Sequence, residues 1–180
     1  TTDVDGVTAE VDDVLFGAEI AEPAAPANKE GHTFAGWAEY TEGMTMPVGG
    51  QTFTATWTVN EYNVEFIVDG ATVQSGKVAY GAEVKAPADP EKEGHTFAGW
   101  NPSVPATQGA ADATYTAQWT VNKYTATFVV DGVTVQSGKV AYGDAVKAPA
   151  DPEKTGYTFK GWAPAVPATQ GAADATYNAT

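Results

Sequence analysis

The feature that most constrains this chain is an internal repeat. Residues 62–118 align without a gap on residues 124–180, and 43 of the 57 aligned positions are identical. A third, more divergent copy precedes them, since its segment GHTFAGW at 31–37 recurs at 94–100. Repeats of about 60 residues are longer than those of solenoids, which must stack to bury their faces, and approach the lower size of a domain that folds alone. The sequence therefore predicts small tandem modules.

The alignment also sets the boundaries of these modules, at 1–57, 62–119 and 124–180. We expect the first module to be truncated at its N-terminus and the third to stop before its last Trp, as in a piece of a longer array. The connectors 58–61 and 120–123 contain neither Gly nor Ser and lie between strand-like segments. Because such linkers swivel less than flexible ones, we expect semi-rigid modules that follow each other end to end.

The second copy shows how one module is expected to begin. Residues 62–69 alternate between apolar and polar side chains, which is the pattern of a strand with one buried face. Asp69 and Gly70 then predict a type I′ hairpin turn, whose two central residues both need a positive φ. A second strand is expected at about 72–80, with a bulge at Gly76, because glycine packs poorly in a strand and eases an extra residue.

Two further strands are expected to complete the module. Two prolines in residues 86–92 exclude a central strand there and favour a crossover with at most one helical turn. A third strand at 96–100, a long loop at 101–113 and a last strand at 114–119 follow. The predicted fold class is therefore mostly β (α+β), a tandem array of four-stranded modules with little helix.

The predicted core of this module consists of its large apolar side chains. Burying each one contributes about 1.5–3 kcal/mol against a chain entropy of similar total size, so a module this small needs its aromatic residues to fold. The predicted buried residues are Tyr62, Val64, Phe66, Val68, Val73, Val78, Tyr80, Val84, Phe97, Trp100, Tyr115 and Trp119.

Charge and composition exclude several classes of partner. The chain has 23 acidic residues, 9 lysines and no arginine, for a formal charge of -14, so nucleic acids and anionic membranes would repel it. The absence of cysteine excludes thiolate catalysis, disulfides and Cys-ligated zinc. No apolar run is long enough to span a membrane as a helix. We expect a monomer that neither binds nucleic acid nor inserts into membranes.

Two kinds of segment resemble motifs for nucleotide binding or catalysis, but neither has the residues and spacing that the motif requires. Residues 70–78 resemble a phosphate-binding loop, yet five residues instead of four separate the glycines, and Val78 stands where Ser or Thr must reach magnesium. Ser75 and Ser137 lack the spacing that exposes a nucleophile in hydrolases. We therefore predict no catalytic, cofactor-binding or metal-binding residue, no cofactor and no enzyme activity.

Other polar candidates have structural interpretations. His32 and His95 share one module position, which Tyr157 fills in the third copy, so we expect a ring that packs or caps there. Residues 3–6 imitate the start of a calcium loop but predict a hairpin turn by analogy with the other copies. A weak calcium site among the acids of residues 10–13 stays open beside the favoured solvated strand, as does a Lys–Asn isopeptide crosslink.

The order of these elements carries a family resemblance. The pattern is a strand, V-D-G, a strand ending in Y-G, A-P-x-x-P-x-K-x-G-[HY]-T-F-x-G-W, a long loop and Y-x-A-x-W. It resembles the Listeria-Bacteroides repeat, also called the internalin B-type B repeat. Residues 62–119 match it throughout, and residues 124–180 match it short of the final Trp. The resemblance implies β-grasp-like, ubiquitin-like modules in secreted or wall-anchored bacterial surface proteins.

Two functions remain as expectations. The resemblance implies a non-enzymatic stalk or spacer that projects an adhesive domain, with neighbouring repeats as its partners. Alternatively, the repeats themselves bind a host or bacterial surface glycan or protein, through loops such as 101–113 or through exposed rings of Trp37, Trp100 and Trp162. Core packing of these rings is favoured, because so small a module can hardly spare its largest apolar groups. A buried Trp100 would favour the spacer.

Overall fold

The chain is built from β-strands. The computed structural model describes residues 2–3 and 6–180, with side chains from Gly6 onward. In that part of the chain there are twelve strands and no helix, so the mostly β class is confirmed and the crossovers lack even one helical turn. The strands are β1 (Thr2–Asp3), β2 (Thr8–Val11), β3 (His32–Trp37), β4 (Gln51–Val59), β5 (Glu61–Val68), β6 (Ala71–Ala79), β7 (His95–Asn101), β8 (Ala113–Val121), β9 (Lys123–Val130), β10 (Val133–Ala141), β11 (Trp162–Ala163) and β12 (Ala175–Ala179).

The strands form three four-stranded sheets, one from each copy of the repeat. In the first sheet β4 pairs with β1, β2 and β3; the other two have the orders β6-β5-β8-β7 and β10-β9-β12-β11. By residue contacts the chain groups into two compact units, residues 1–87 with 102–115 and residues 88–101 with 116–180. Each unit therefore contains one of the two connections between consecutive copies.

The hairpin of the second copy forms where the sequence predicts it. Asp69 and Gly70 have φ angles of 49° and 84°, and they link β5 to the antiparallel strand β6. The same turn recurs between β9 and β10, where Asp131 and Gly132 have φ angles of 49° and 80°. The Asp-Gly pair thus confirms a turn in which both central residues take the left-handed conformation.

The bulge in this hairpin lies elsewhere than predicted. Gly76 is a regular partner of Val64, and the register shifts instead opposite Phe66 and Ile67, which leaves Val73 as the extra residue. Val73 is 53% exposed, so its assignment to the core was wrong. Val73 lies on the edge strand β6, whose residues 71–77 are all exposed, so this stretch of the strand has no buried face.

The rest of the predicted core is largely correct. In the second copy Val64, Phe66, Val84 and Tyr115 are buried, and the rings of Phe66 and Tyr115 stack with centroids 5.1 Å apart. The first copy has its own core, made of Ile20, Trp37, Met46, Phe53, Ala55 and Trp57. The remaining predicted residues of the second copy are partly buried, namely Tyr62, Val68, Val78, Tyr80, Phe97, Trp100 and Trp119.

The third copy has a mixed sheet. Its last strand β12 runs parallel to its first strand β9, from Ala175 opposite Ala126 to Asn178 opposite Val129. The other pairs, β9 with β10 and β11 with β12, are antiparallel. The fully buried ring of Phe128 on β9 stacks on Tyr177 of the neighbouring strand β12, with centroids 5.0 Å apart.

The first copy pairs its strands differently. There the last strand β4 pairs antiparallel with β2, from Thr8 opposite Thr54 to Val11 opposite Gln51, and antiparallel with β1. The strand that follows Gly6 therefore pairs with β4 in this copy. The predicted turn at residues 3–6 includes Val4 and Asp5, which lie outside the described residues.

The connectors between copies are shorter than predicted. Strand β4 continues to Val59 and β5 begins at Glu61, so only Asn60 separates them. In the same way, only Asn122 separates β8 from β9. Most of the predicted four-residue connectors therefore belongs to the strands, which leaves a single residue as the linker at each connection.

We expect Phe66→Ala to lower the free energy of unfolding by about 3–5 kcal/mol, because it empties the fully buried centre of the second core. Val73→Ala is the control in the same copy; its half-exposed side chain limits the loss to about 1 kcal/mol or less. Urea unfolding followed by far-UV circular dichroism measures both. Equal losses from the two variants would contradict the assignment of the core and of the bulge.

Candidate functional site

The connection between the first and second copies is a small hydrogen-bonded cluster, here named joint 1. Asn60 is its centre: its backbone N–H donates to the carbonyl of Gly31 at 2.8 Å, and its own carbonyl accepts from the backbone N–H of Tyr80 at 2.9 Å. The Thr33 hydroxyl donates to Asn60 Oδ1 at 2.6 Å. The linker is thus bonded to both copies at once, all within the first compact unit.

The connection between the second and third copies, joint 2, repeats this arrangement. The Asn122 N–H donates to the Gly94 carbonyl at 2.8 Å, and the Tyr142 N–H donates to the Asn122 carbonyl at 2.9 Å. The Thr96 hydroxyl donates to Asn122 Oδ1 at 2.6 Å. Joint 2 lies within the second compact unit, so the same geometry occurs independently in each unit.

A glycine lies beneath a tyrosine ring in each joint. Gly31 is buried with a φ of 70°, and a Cβ built on it would overlap the ring of Tyr80. Gly94 has the same φ, and its Cβ would overlap the ring of Tyr142. Both the left-handed backbone and the lack of space therefore require glycine at this position. The ring of the following copy rests directly on the backbone of the preceding one.

The two histidines complete the joints. His32 meets Tyr80 edge to face, with ring centroids 5.7 Å apart, and His95 meets Tyr142 in the same way at 5.7 Å. Nδ1 of each ring lies within hydrogen-bond distance of a glutamate backbone carbonyl two residues earlier, at 2.7 and 2.8 Å. Such edge-to-face pairs add to the packing of the joint. The rings pack, as the sequence predicts, and they do so between copies.

A tryptophan and a lysine support each joint from the preceding copy. Trp57 packs edge to face on Phe34 at 5.6 Å, with the Lys29 ammonium 5.9 Å from the indole centroid. In the second copy, Trp119 packs on Phe97 at 5.8 Å, and Lys92 lies 5.4 Å from its indole. The cation over each indole is a favourable electrostatic contact with the ring face.

The residues that align with joint positions but belong to neither joint are exposed. Gly156 corresponds to Gly31 and Gly94, yet it is open, with no atom within 4 Å of a Cβ built on it. Beside it, Tyr157 is 72% exposed. Phe16, which aligns with Tyr80 and Tyr142, is 74% exposed. The tyrosine position of the joints is thus exposed in the first copy, where it is Phe16. The glycine position is exposed in the third copy, where it is Gly156.

The other polar candidates do not assemble into a reactive site. In the described residues no group of three or more His, Asp or Glu could hold a metal ion, and residues 10–13 form no such group. Residues 70–78 continue from the hairpin turn into strand β6, as predicted. The pKa of Glu39 lies below its ordinary value, because its carboxylate accepts a hydrogen bond from the Thr54 backbone N–H. That carboxylate binds a backbone N–H of β4 just past the last residue pair between β3 and β4, Trp37 with Ala55.

The tryptophans considered as sugar platforms are packed. Trp37 is 7% exposed, and its Nε1 donates to the Pro23 carbonyl at 3.0 Å. Trp100 is half-buried beside Phe97, with centroids 5.4 Å apart. Trp162, also half-buried, contacts the rings of Phe128 and Phe159. The long loop is also fixed, because the buried Gln108 exchanges backbone hydrogen bonds with Gly81 and Ala82.

Sequence reasoning missed the joints. It identified the connectors, the Tyr-Gly turns and the histidine position as separate features and did not bring them together. A usable signal was present, because the Asn of each connector and the Gly before each His recur at matching positions.

Among the described residues, no helix is long and apolar enough to cross a bilayer.

Consecutive all-β repeats connected by one recurring set of contacts define a tandem β-repeat protein. The model of the Listeria-Bacteroides repeat domain matches residues 1–59, 62–122 and 124–178. The chain belongs to this family, which confirms the resemblance drawn from the repeat pattern.

Three curated relatives carry similar sequence. The chain is 35% identical over 167 residues to a protein of Evansella cellulosilytica named "Putative membrane protein", covering 83% of this chain and 25% of the relative. A "Putative Gly-rich membrane protein" of the same organism is 32% identical over 170 residues, covering 83% and 20%. Internalin H of Listeria monocytogenes serovar 1/2a is 41% identical over 133 residues, covering 66% and 22%. The chain thus spans a quarter or less of the length of these relatives.

We expect Gly94→Ala to destabilise the chain more than Gly156→Ala does. Both residues have a positive φ, 70° and 80°, so both variants carry a backbone strain of about 1–2 kcal/mol. Only at Gly94 does the new methyl group also collide with a tyrosine ring, which adds about 1–3 kcal/mol. Chemical unfolding of the two variants measures the difference. Equal destabilisation would show that the Tyr142 ring does not rest on Gly94 in solution.

Proposed function

We propose that the modules 1–57, 62–119 and 124–180 form a non-enzymatic, semi-rigid spacer. The observation that carries this proposal is the recurrence of one joint: Asn60 and Asn122 make the same three hydrogen bonds, and Tyr80 and Tyr142 rest on equivalent glycines. A chain whose modules only needed to be connected would tolerate any flexible linker. A repeated, specific joint restricts the orientation of each module relative to its neighbour.

The strength of a joint can be estimated from its contacts. Each hydrogen bond contributes about 0.5–1.5 kcal/mol net, and burial of a tyrosine-sized ring contributes about 1.5–3 kcal/mol when complete. Three bonds and a half-buried ring therefore favour the docked joint by roughly 2–5 kcal/mol. Since about 1.4 kcal/mol corresponds to a factor of ten in population, the undocked joint is a minor state of a few per cent or less. Such a joint is semi-rigid.

The second and third modules, whose sheets share one strand order, are proposed to be β-grasp-like. The parallel pairing of the last strand β12 with the first strand β9 supports this, because it places the hairpin partner β10 and the strand β11 on opposite sides of a central pair. The segment that would carry the grasped helix is irregular here. Its two prolines, Pro87 and Pro90 in the second copy, oppose a helix of any length.

The spacer is proposed to belong to a bacterial surface protein, secreted or anchored to the cell wall. Support comes from the relatives, two of which are named as membrane proteins and one as an internalin. In such a protein the repeats would project an adhesive domain from the surface. The absence of a catalytic arrangement among the described residues fits a structural role, and we propose that the chain acts as a monomer with neighbouring repeats as its partners.

Direct binding of a glycan or host protein by the repeats is less well supported. Regularly exposed aromatic rings would favour it, but Trp37 is buried and donates to Pro23, and Trp100 is half-buried against Phe97. The loop at 102–112 is held on its own module through Gln108. These side chains serve packing, so the spacer is the function that the geometry supports best.

A spin-label experiment tests the joint without requiring a ligand. The chain has no cysteine, so Ala35→Cys in the first copy and Val73→Cys in the second introduce two unique and exposed labelling sites in one compact unit. We expect pulsed electron resonance to give a narrow distance distribution, and Tyr80→Ala to widen it about twofold or more, because the undocked state gains population.

Tyr157→Ala is the matched control for this experiment, since it removes a tyrosine that is largely exposed. It should leave the width of the distribution unchanged. If the unsubstituted labelled chain already gives a distribution as wide as that of Tyr80→Ala, the joint is flexible and the spacer proposal is wrong.

A further inference from the structure

Strands β6 and β10 each lie at one end of their sheet, and among the described residues one side of their backbone has no partner strand. Each strand has nine residues, of which the first seven, 71–77 and 133–139, are exposed. Beyond the bulge, residues 74–79 and 136–141 pair regularly with the inner neighbour. A long, regular edge without proline presents a row of main-chain donors and acceptors to a further strand.

Two glycines in these strands are not required by the fold of a single module. Neither Gly76 nor Gly138 has a φ in the left-handed region, and a Cβ built on either would meet no atom within 4 Å. Both lie in regular register, opposite Val64 and Ala126. Glycine weakens the interior of a strand, since it offers no side chain to pack. Where neither a bulge nor crowding explains it, such a glycine marks a place that another chain approaches closely.

The open space beside Gly76, between Gln74 and Val78 on the same face of β6, is here named the glycine notch. Val64, the partner of Gly76 on β5, borders it and is only 4% exposed. Gln74 is fixed at one end of the notch, because its Nε2 donates to the Lys85 carbonyl at 2.8 Å. The notch is therefore a defined space beside the core of its module.

Strand β10 has an equivalent notch beside Gly138, between Gln136 and Val140. Its border on β9 is the buried Ala126, and Gln136 Nε2 donates to the Lys147 carbonyl at 2.8 Å. The two notches lie in different compact units, so the same arrangement occurs independently in each.

The residue after each of these glycines is a lysine, which points to the opposite face of the strand. Lys77 and Lys139 are exposed, and their partners on the neighbouring strands, Asn63 and Thr125, are uncharged. Neither β6 nor β10 contains an acidic residue, although the chain carries 23 acidic residues and 9 lysines. Each edge thus holds a positive charge in an acidic chain, and opposite charges directly across a strand pair are favourable.

We propose that the outer edges of β6 and β10 each bind an extended segment of a partner protein as an added strand. In this segment a bulky apolar residue and an acidic residue are neighbours. The apolar side chain fills the glycine notch, and the carboxylate lies beside Lys77 or Lys139 on the other face, because successive residues of a strand point to opposite faces. Main-chain pairing supplies affinity in such recognition, and the two side chains supply specificity.

The same edge of a second copy of this chain is a poor occupant. The strands β6 and β10 supply neither an acidic nor an aromatic side chain, so the lysine and the notch would both lack their complement. Pairing two such edges would also bring lysines towards each other as like charges. The occupant is therefore a different protein, in agreement with the proposal of a monomeric chain.

This inference goes beyond the spacer and does not rest on it. Residues 74–78 and 136–140 belong to neither joint, and they are separate from the tryptophans and the loop considered above for direct binding. Both a rigid and a flexible array would present the two edges.

The test uses the full 180-residue chain and the synthetic peptide Thr-Val-Phe-Glu-Val-Thr with blocked ends. We expect the peptide to shift the backbone amide resonances of β6 and β10 in NMR spectra. Half-saturation is expected at about 1 mM, since a free peptide loses translational and rotational freedom on binding. Thr-Val-Phe-Lys-Val-Thr is the matched control, and its lysine in place of glutamate should weaken binding at least about fivefold.

A second measurement tests the notch itself. Gly76→Val together with Gly138→Val places a strand-forming side chain in each open space, so the chain stays folded with an equal or higher thermal midpoint. The same pair of substitutions fills both notches and should weaken binding of the Phe-Glu peptide at least about tenfold. Ser75→Val with Ser137→Val is the matched control on the opposite face, and it should change the affinity less than about twofold.

Four results would overturn the proposal. The absence of a saturable shift at β6 and β10 with about 10 mM peptide would show that the edges do not accept a strand. A lower thermal midpoint of the glycine variant would show that the fold itself requires these glycines. Equal weakening by the serine and glycine variants would show that the notch is not recognised. Shifts at both edges that depend on protein concentration without peptide would show that the occupant is a second chain.

Discussion

The close approach of a tyrosine ring to a bare glycine backbone is the contact on which the arrangement of consecutive copies depends. Gly31 and Gly94 can be approached this closely because they lack a Cβ, and their positive φ directs their carbonyls at the linker asparagines. Each asparagine then continues the main-chain hydrogen bonding from one copy to the next. With a single residue between strands, no slack remains in the linker, so the ring, the glycine and the asparagine act as one unit.

Inside each copy the packing depends on very few aromatic residues. Phe66 on Tyr115 and Phe128 on Tyr177 are the same stacked pair in two copies, each with planes 29° apart. A sheet of four short strands has one apolar face to cover, and here irregular segments cover it in place of a helix. Such a module buries little apolar surface. Hydrogen bonds to a neighbouring copy therefore contribute a substantial share of the stability of its ends.

Surface charge varies between the copies while these contacts do not. The formal charges are -9, -5 and 0 for residues 1–57, 58–119 and 120–180. Most of these groups are exposed, where ion pairs contribute little to stability, so their replacement costs the fold little. The joints are built from Gly, His, Thr, Asn and Tyr, with no acidic side chain, and they recur unchanged between pairs of copies of different charge. This contrast favours a structural role over recognition of one charged partner.

Alternation, the Asp-Gly turn and the 62-residue period determined the strands, the hairpin and the number of copies, because these depend on neighbouring residues alone. The same reasoning predicted that the histidine rings pack, though not what they pack against. Only the tertiary structure decided that Val73, and not Gly76, is the extra residue of the bulge, since a register is set by both strands. It also decided that Gly31, Asn60 and Tyr80 meet, because residues far apart in the chain form a joint only after two copies have folded.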